Sequence, residues 1–223
     1  MKGSVLVTGG ARRIGLAICE ALSAHGWRVL AHSRDSDNPL RADFLRPDGA
    51  DRLFAAAVAQ APDLCAVVNN AAVFSTAAEL PPREAAAMRA VNVEAPVRLA
   101  ELLAARLAAR QATGTAVNLL DTRVVGGATC RQKRLGPYAA SKLELARATV
   151  AQARSLAPTL RVNGVAPGPV LPPADAANSE KGGPILLPRR PTPADVAAAV
   201  AFLLETESVT GQILAVDSGQ CLL

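Results

Sequence analysis

The sequence predicts a single α/β domain, a doubly wound parallel sheet with helices on both faces. Three observations carry this. Strand-like and helix-like runs alternate from end to end, the mark of parallel strands joined by helical crossovers. Half of the 223 residues are hydrophobic but only 3% are aromatic, so the core is built from Val, Leu, Ile and Ala, as in a parallel sheet covered by alanine-rich helices. No Pro/Gly/Ser linker and no internal repeat divides the chain, whose length suits one large core.

Taken in order, Ser4–Thr8 is a short β-prone run, broken by Gly9-Gly10 and followed by a helix over about Ile14–His25. Arg28–His32 is the second strand. A short polar passage leads through Leu40–Phe44, with Asp43 closing a third strand, to a helix over about Asp48–Gln60. Leu64–Asn69 is an apolar strand ending in Asn-Asn. A long alanine-rich helix is predicted over about Arg83–Arg110, with a kink at Pro96. Thr115–Leu120 reads as a strand, Tyr138–Leu156 as a helix, and Arg161–Val165 as a strand running into Pro167-Gly168. Pro193–Leu204 is a helix with proline at its start, and Gln212–Val216 the last strand. The passage between Pro167 and Pro193 is rich in proline and glycine, and a loop over about 168–192 at a strand C-terminus is expected to cover a ligand.

Charge and cysteine content exclude several function classes. The 24 basic against 19 acidic residues give +5, but the excess is scattered, not gathered on a face or tail as nucleic-acid binding requires. The local pairs Arg12-Arg13 and Arg189-Arg190, and the run from Arg131 to Arg134, read instead as anion sites. Cys19, Cys65, Cys130 and Cys221 are far apart and form no CxxC, so neither a metal site nor a disulfide framework is expected. No cleavable signal segment and no apolar run of the roughly 18 residues that span a bilayer is apparent, which predicts a cytoplasmic protein without a membrane partner.

The stretch Val7-Thr8-Gly9-Gly10-Ala11-Arg12-Arg13-Ile14-Gly15 lies between the first strand and first helix. Glycines there let the backbone approach a pyrophosphate, which the exposed N–H groups of the helix N-terminus attract. A dinucleotide is the implied ligand and a Rossmann-type sheet the implied scaffold. At the end of the second strand, where an acidic residue would hold a ribose 2′-hydroxyl, the chain has His32-Ser33-Arg34, with Asp35 next. An arginine fork and a serine hydroxyl suit a 2′-phosphate, so NADP(H) is the expected cofactor. Asp43 is placed to bond the adenine amino group.

Tyr138 and Lys142 lie four apart at the start of a helix and share a face. An ammonium beside a phenol favours the phenolate, which brings proton transfer nearer neutral pH. The ordered set Thr8-Gly9-Gly10…Gly15, Asn69-Asn70-Ala71, Asn92, Tyr138-Ala-Ala-Ser-Lys142, Pro167-Gly168 and Thr210-Gly211-Gln212 with Asp217 resembles the short-chain dehydrogenase/reductase family over nearly the whole chain. The resemblance implies that Tyr138 transfers the substrate proton, Lys142 bonds the nicotinamide ribose and Asn92 anchors a water relay. It implies a cofactor site formed by Gly9, Arg12, Arg13, Ile14, His32, Ser33, Arg34, Asp43, Phe44, Asn70, Ala71, Tyr138, Lys142, Pro167, Gly168 and Val170. It also implies pairing of subunits through the helices carrying Asn92 and Tyr138, as a homotetramer or a dimer.

One branch is closer than the rest. The fifth strand ends in Asp121 where the family has serine, which resembles the pteridine reductases and dihydromonapterin reductases. Phe74, four residues after Asn70, matches their ring that stacks a pterin, and Arg13 their arginine near the pyrophosphate and the pterin oxygen. Arg13, Phe74, Asp121 and Tyr138 are thus the expected substrate residues, and no metal is expected. Asp121 lies 17 residues before Tyr138, about four more than the family's spacing, and apolar Val125 stands at the usual place. A longer loop over 122–137, carrying Arg131, Lys133 and Arg134, follows from this, with Thr122 or Thr129 as alternative hydroxyl donors. The expected activity is NADPH-dependent reduction of a pteridine. A carbonyl reductase acting on a ketone or acyl thioester is the alternative, and a non-catalytic NADP(H)-binding regulator the third reading.

Overall fold

The computed structural model describes residues 2–35, 37–125, 136–171 and 183–223. Six parallel strands form one sheet in the order β2-β1-β3-β4-β5-β6: β1 Ser4–Val7, β2 Arg28–Ala31, β3 Leu64–Asn69, β4 Gly114–Leu119, β5 Leu160–Pro167 and β6 Ile213–Val216. The helices between them are α1 Arg13–Ala24, α2 Gly49–Gln60, α3 Pro82–Arg89, α4 Ala95–Ala109, α5 Pro137–Ser155 and α6 Pro193–Glu205. The expected doubly wound sheet is present, with most boundaries within two residues of those read from the sequence.

Strand alternation divides the core into two layers. Leu6, Val67, Ala116 and Val162 point to one face, where Leu53 and Phe54 of α2 and Leu99, Leu103 and Leu107 of α4 cover them. Val5, Val7, Ala66, Val68, Val117 and Val165 point to the other, under Ile18 and Leu22 of α1 and Val196, Val200 and Leu203 of α6. Each fully buried leucine contributes about 1.5–3 kcal/mol of transfer free energy. Because both faces are covered, the strands read as unbroken apolar runs. Thr192 and Asp195 close a reciprocal capping box at the start of α6.

Two expectations need correction. Leu40–Phe44 is not a strand: a single bridge pairs Ser33 with Arg41, and the chain then turns, with Asp43 Oδ1 accepting the Leu45 N–H at 3.0 Å. The long helix is continuous from Pro82 to Ala109 but not regular. It is α3, a π-helical turn over Ala90–Glu94, and α4. Pro96 has no N–H for the carbonyl of Asn92, so the ladder opens to the wider turn immediately before it. No helix among the described residues is long and apolar enough to cross a membrane.

The strand order reverses at β1, between β2 and β3, which opens a crevice at the C-terminal ends of β1 and β3.

Candidate active site

The crevice begins with the turn after β1. Thr8 Oγ1 accepts the backbone N–H groups of Asn70 and Ala71, both at 3.0 Å, and the Asn70 amide donates to the carbonyls of Thr8 at 2.9 Å and Gly9 at 3.0 Å. These bonds lock the end of β3 to the glycine turn. At Gly15 a Cβ would lie 2.1 Å from the Gly9 carbonyl oxygen, and Gly9 itself has φ +64°, so neither position tolerates a side chain. Arg13 also sits at positive φ, +56°, a strained conformation for a residue with a Cβ. Among the described residues no side chain caps the first turn of α1, so its N–H groups are left open toward the turn, as an anion site requires. Arg12 and Arg13 are exposed beside it and Ile14 is half-buried.

At the end of β2 the structure separates residues that are neighbours in sequence. His32 turns inward: its Nδ1 accepts the Gly9 N–H at 3.3 Å, and its Nε2 pairs with the Ala42 carbonyl at 3.1 Å. Its ring rests 4.9 Å from that of buried Phe44. Burial, with Arg34 nearby, lowers its pKa against the pull of the Ala42 carbonyl. His32 thus props Gly9 from below, and Phe44 holds His32. Ser33 Oγ bonds the Asp35 carboxylate at 3.1 Å and caps the Asp35 N–H at 3.0 Å. Arg34 is exposed. The bridge from Ser33 brings in Arg41, also exposed, which the sequence reading missed because nothing in Leu40–Phe44 marks a contact with residue 33.

Further along the crevice, Asn92 is fully buried in the π-helical turn. Its Oδ1 accepts the Val73 N–H at 2.8 Å, and its amide donates to the Val73 carbonyl at 2.9 Å and to Ser141 Oγ at 3.0 Å. Ser141 Oγ in turn donates to the Tyr138 carbonyl at 2.7 Å. The π-helical turn therefore clamps the loop after β3 to the first turn of α5. Ser141 was legible only as a letter of the Tyr-Ala-Ala-Ser-Lys string.

Lys142 is buried, its Nζ donating to the Leu119 carbonyl at 2.7 Å and lying 5.9 Å from the centre of the Tyr138 ring. Burial pushes its pKa down to about 8, against the attraction of Asp121. Tyr138 differs from expectation. Burial first, then the Asp121 carboxylate, push its pKa above the ordinary phenol value, and Arg123 only partly opposes them. The phenol is held protonated, the form that donates.

Phe74, 49% exposed, meets Tyr138 edge-on with ring centres 4.8 Å apart. Asp121 caps a short 3-10 turn, Thr122–Val124, accepting the Arg123 N–H at 2.9 Å. The Arg123 side chain returns to fork it, Nε to Oδ1 at 2.8 Å and Nη2 to Oδ2 at 2.9 Å, and places its guanidinium 5.3 Å from the Tyr138 ring centre. Asp121 and Tyr138 thus face one another through Arg123, a residue the sequence reading did not single out. Thr122 is no substitute hydroxyl: it is buried and donates to Asp217. Asp217 also accepts the N–H groups of Gly219 at 2.9 Å and Cys221 at 2.7 Å. Burial works against its ionisation, but these donors outweigh it and lower its pKa.

Pro167 is buried at the end of β5, and Gly168 packs against Asp217, where a Cβ would lie 2.9 Å from the Asp217 Cβ. Val170 is half-buried against the α1/α6 layer. The expected covering loop is described at 168–171 and 183–192. Its latter part is tied to the chain end by the N–H groups of Leu186 and Leu187, which donate to the Ser218 carbonyl at 2.9 and 3.1 Å. Thr129, Cys130, Arg131, Lys133 and Arg134 lie outside the described residues.

A family model described as enoyl-(acyl carrier protein) reductase matches residues 9–220. The NADP complex of FolM alternative dihydrofolate reductase 1 from Brucella canis superposes with a TM-score of 0.85 at 33% identity, covering 99% of this chain and 94% of that one. The dihydromonapterin reductase of Enterobacter sp. (strain 638) is 29% identical over 235 residues, 98% of this chain and 96% of the relative. The 3-oxoacyl-(acyl-carrier-protein) reductase MabA of Mycobacterium bovis is 31% identical over 237 residues, 97% of this chain and 92% of the relative.

Proposed function

Because the chain belongs to the short-chain dehydrogenase/reductase family of oxidoreductases, matched over residues 9–220, we propose that it is an NADPH-dependent reductase acting on a dihydropteridine. The observation that carries this is the pairing across the crevice: a carboxylate, Asp121, stands two residues beyond the end of β4, and the half-exposed ring of Phe74 stands against Tyr138. A flat heterocycle with ring nitrogens matches both, by stacking on Phe74 and by offering N–H groups to Asp121. The dihydrofolate reductase and dihydromonapterin reductase relatives support the same choice.

The residues present fit a phosphorylated dinucleotide. The glycine turn is a cradle that a Cβ at Gly15 would fill, and α1 begins without a side-chain cap. In this reading Gly9 to Ile14 hold the pyrophosphate, with Asn70 and Ala71 beneath. Ser33 and Arg34 hold the 2′-phosphate, Asp43 the adenine, Lys142 the nicotinamide ribose, and Pro167, Gly168 and Val170 the far wall. NADPH supplies the hydride. Tyr138, kept protonated by burial and by Asp121, gives its hydroxyl proton to the ring nitrogen that the reduction makes basic. A positioned acid of this kind contributes about 10²–10⁴-fold. Copies pair through α4 and α5 as a homotetramer or dimer, a count that light scattering decides.

The 3-oxoacyl thioester reductases supply the competing reading. Among the described residues, however, no hydroxyl stands ready to replace the serine that would hold a ketone oxygen, since Thr122 donates to Asp217. NADPH oxidation followed with dihydrobiopterin, dihydromonapterin, dihydrofolate and an acetoacetyl thioester tests the choice. Turnover of a pteridine is expected; reaction with the thioester alone overturns it.

A further inference from the structure

We infer that Arg123 is a positioning and specificity-determining residue, which aims the Asp121 carboxylate so that the site takes an N–H donor and rejects a carbonyl oxygen. The inference rests on the pteridine reading of the site and goes beyond it by naming what orients the recognising group.

The geometry is a closed count of hydrogen bonds. An ionised carboxylate offers about four acceptor positions. Three are taken by one residue: Oδ1 accepts the Arg123 backbone N–H at 2.9 Å and Nε at 2.8 Å, and Oδ2 accepts Nη2 at 2.9 Å. A bidentate fork of this kind fixes the carboxylate plane. One lone pair of Oδ2 is left, and it can only accept. A ring N–H or an amino group completes it, whereas a ketone oxygen placed there would meet a second acceptor. The serine hydroxyl at this place in other family members has the opposite polarity, since it donates.

The turn is built to hold this aim. Its residues are close in sequence, so the fork closes only because the 3-10 turn folds the Arg123 side chain back over Asp121, with the N–H groups of Val124 and Val125 donating to the carbonyls of Asp121 and Thr122. On its other side Thr122 anchors the turn to Asp217. The same guanidinium lies 5.3 Å from the centre of the Tyr138 ring, so it offsets the carboxylate's charge beside the phenol. Among the described residues, the charged groups facing Tyr138 are then Asp121 and Arg123 from the turn and Lys142 from its own helix.

The test is a double-mutant cycle with dihydrobiopterin as substrate, comparing wild type, Arg123→Met, Asp121→Asn and the double variant. Thermal melting and NADPH binding serve as controls for each. Arg123→Met is expected to lose roughly 10- to 100-fold in kcat/KM, the scale of one charge-assisted hydrogen bond, with the NADPH KM unchanged and the alkaline limb of the pH profile moved upward. In the Asp121→Asn background the same change is expected to have almost no further effect. Equal losses in both backgrounds, or no loss in either, overturn the inference. If Arg123→Met does not fold, Arg123→Lys replaces it: the charge is kept and the fork lost, so an unaltered kcat/KM again overturns the inference. Absence of pteridine turnover by the wild type overturns the substrate reading itself, a result visible before any variant is made.

Discussion

The side-chain amide of Asn92 donates to the hydroxyl of Ser141 at 3.0 Å, joining the π-helical turn to the helix that presents Tyr138. The same amide group holds both backbone polar atoms of Val73, one residue before Phe74. Truncation at position 92 therefore orphans groups in a dry place. Asn92→Ala should cost about 3 kcal/mol, since buried unpaired partners cost about 1–3 kcal/mol each. For a domain of this size that is roughly a 10 °C fall in Tm. Differential scanning calorimetry reads it directly, and a fall of only a degree or two would mean that water replaces the amide.

Removing the acid should separate chemistry from binding. Tyr138→Phe keeps the ring that Phe74 packs against and deletes only the hydroxyl that carries the proton. A kcat lower by about 10²–10⁴-fold is expected, with NADPH affinity within a factor of about two by fluorescence titration. Retained turnover would move the acid role to another group.

Lys142 makes stability depend on pH with a definite sign. Its pKa is pushed down to about 8 in the folded protein from an ordinary value of 10.5, so between those values the unfolded chain binds more protons than the folded one. Stability from this group rises with pH across that window and is flat below it. The buried thiols act in the opposite direction from about pH 8 upward, a unit below their ordinary value of 9.0; Cys19, for example, is pushed up to about 11 by burial. In urea melts the cofactor-free protein should therefore gain about 1 kcal/mol between pH 8 and 9 relative to Lys142→Met, a comparison in which the thiols cancel. The same pH dependence in both proteins would assign the effect elsewhere.

The cofactor preference should reside in Arg34. Its side chain is exposed at the end of β2, beside Ser33, where a 2′-phosphate would lie. Arg34→Ala is expected to raise the KM for NADPH about tenfold, the lower end for a charge-assisted contact at the surface, and to leave that for NADH unchanged. Parallel losses with both cofactors would show that the residue supports the fold and not the phosphate.

How far the sequence went depends on which forces act locally. β3 was readable to the residue because both of its faces are covered and it shows as one apolar run ended by Asn69. The glycine turn was equally plain, since its residues act through the backbone they leave uncovered. Leu40–Phe44 misled because its apolar spacing is that of a strand, while its ends are shaped by contacts far away: Ala42 serves His32, and Asp43 caps Leu45. His32 stands in the sequence beside Ser33 and Arg34, yet β2 has ended at Ala31 and alternation no longer tells which way the imidazole points. Arg123 escaped for a related reason. Its partner is two residues away, a separation at which side chains meet only once a particular turn has formed. The phenol's raised pKa depends on how deeply Tyr138 is enclosed, which no spacing reveals.

The widened turn at Ala90–Glu94 gives the helix an extra residue relative to regular α geometry. One residue of an α-helix corresponds to a rotation of about 100°. Shortening an ordinary helix by a residue would thus swing everything after it out of its groove. Here the same deletion could be absorbed, by letting this stretch tighten into regular α geometry, and Leu99, Leu103 and Leu107 would keep their seats in the core. What would be lost is the π-helical turn in which Asn92 bonds Val73. Such a chain would keep its architecture and its melting cooperativity while its crevice lost its edge, so tolerance of length and competence for chemistry part company at this one point in the helix.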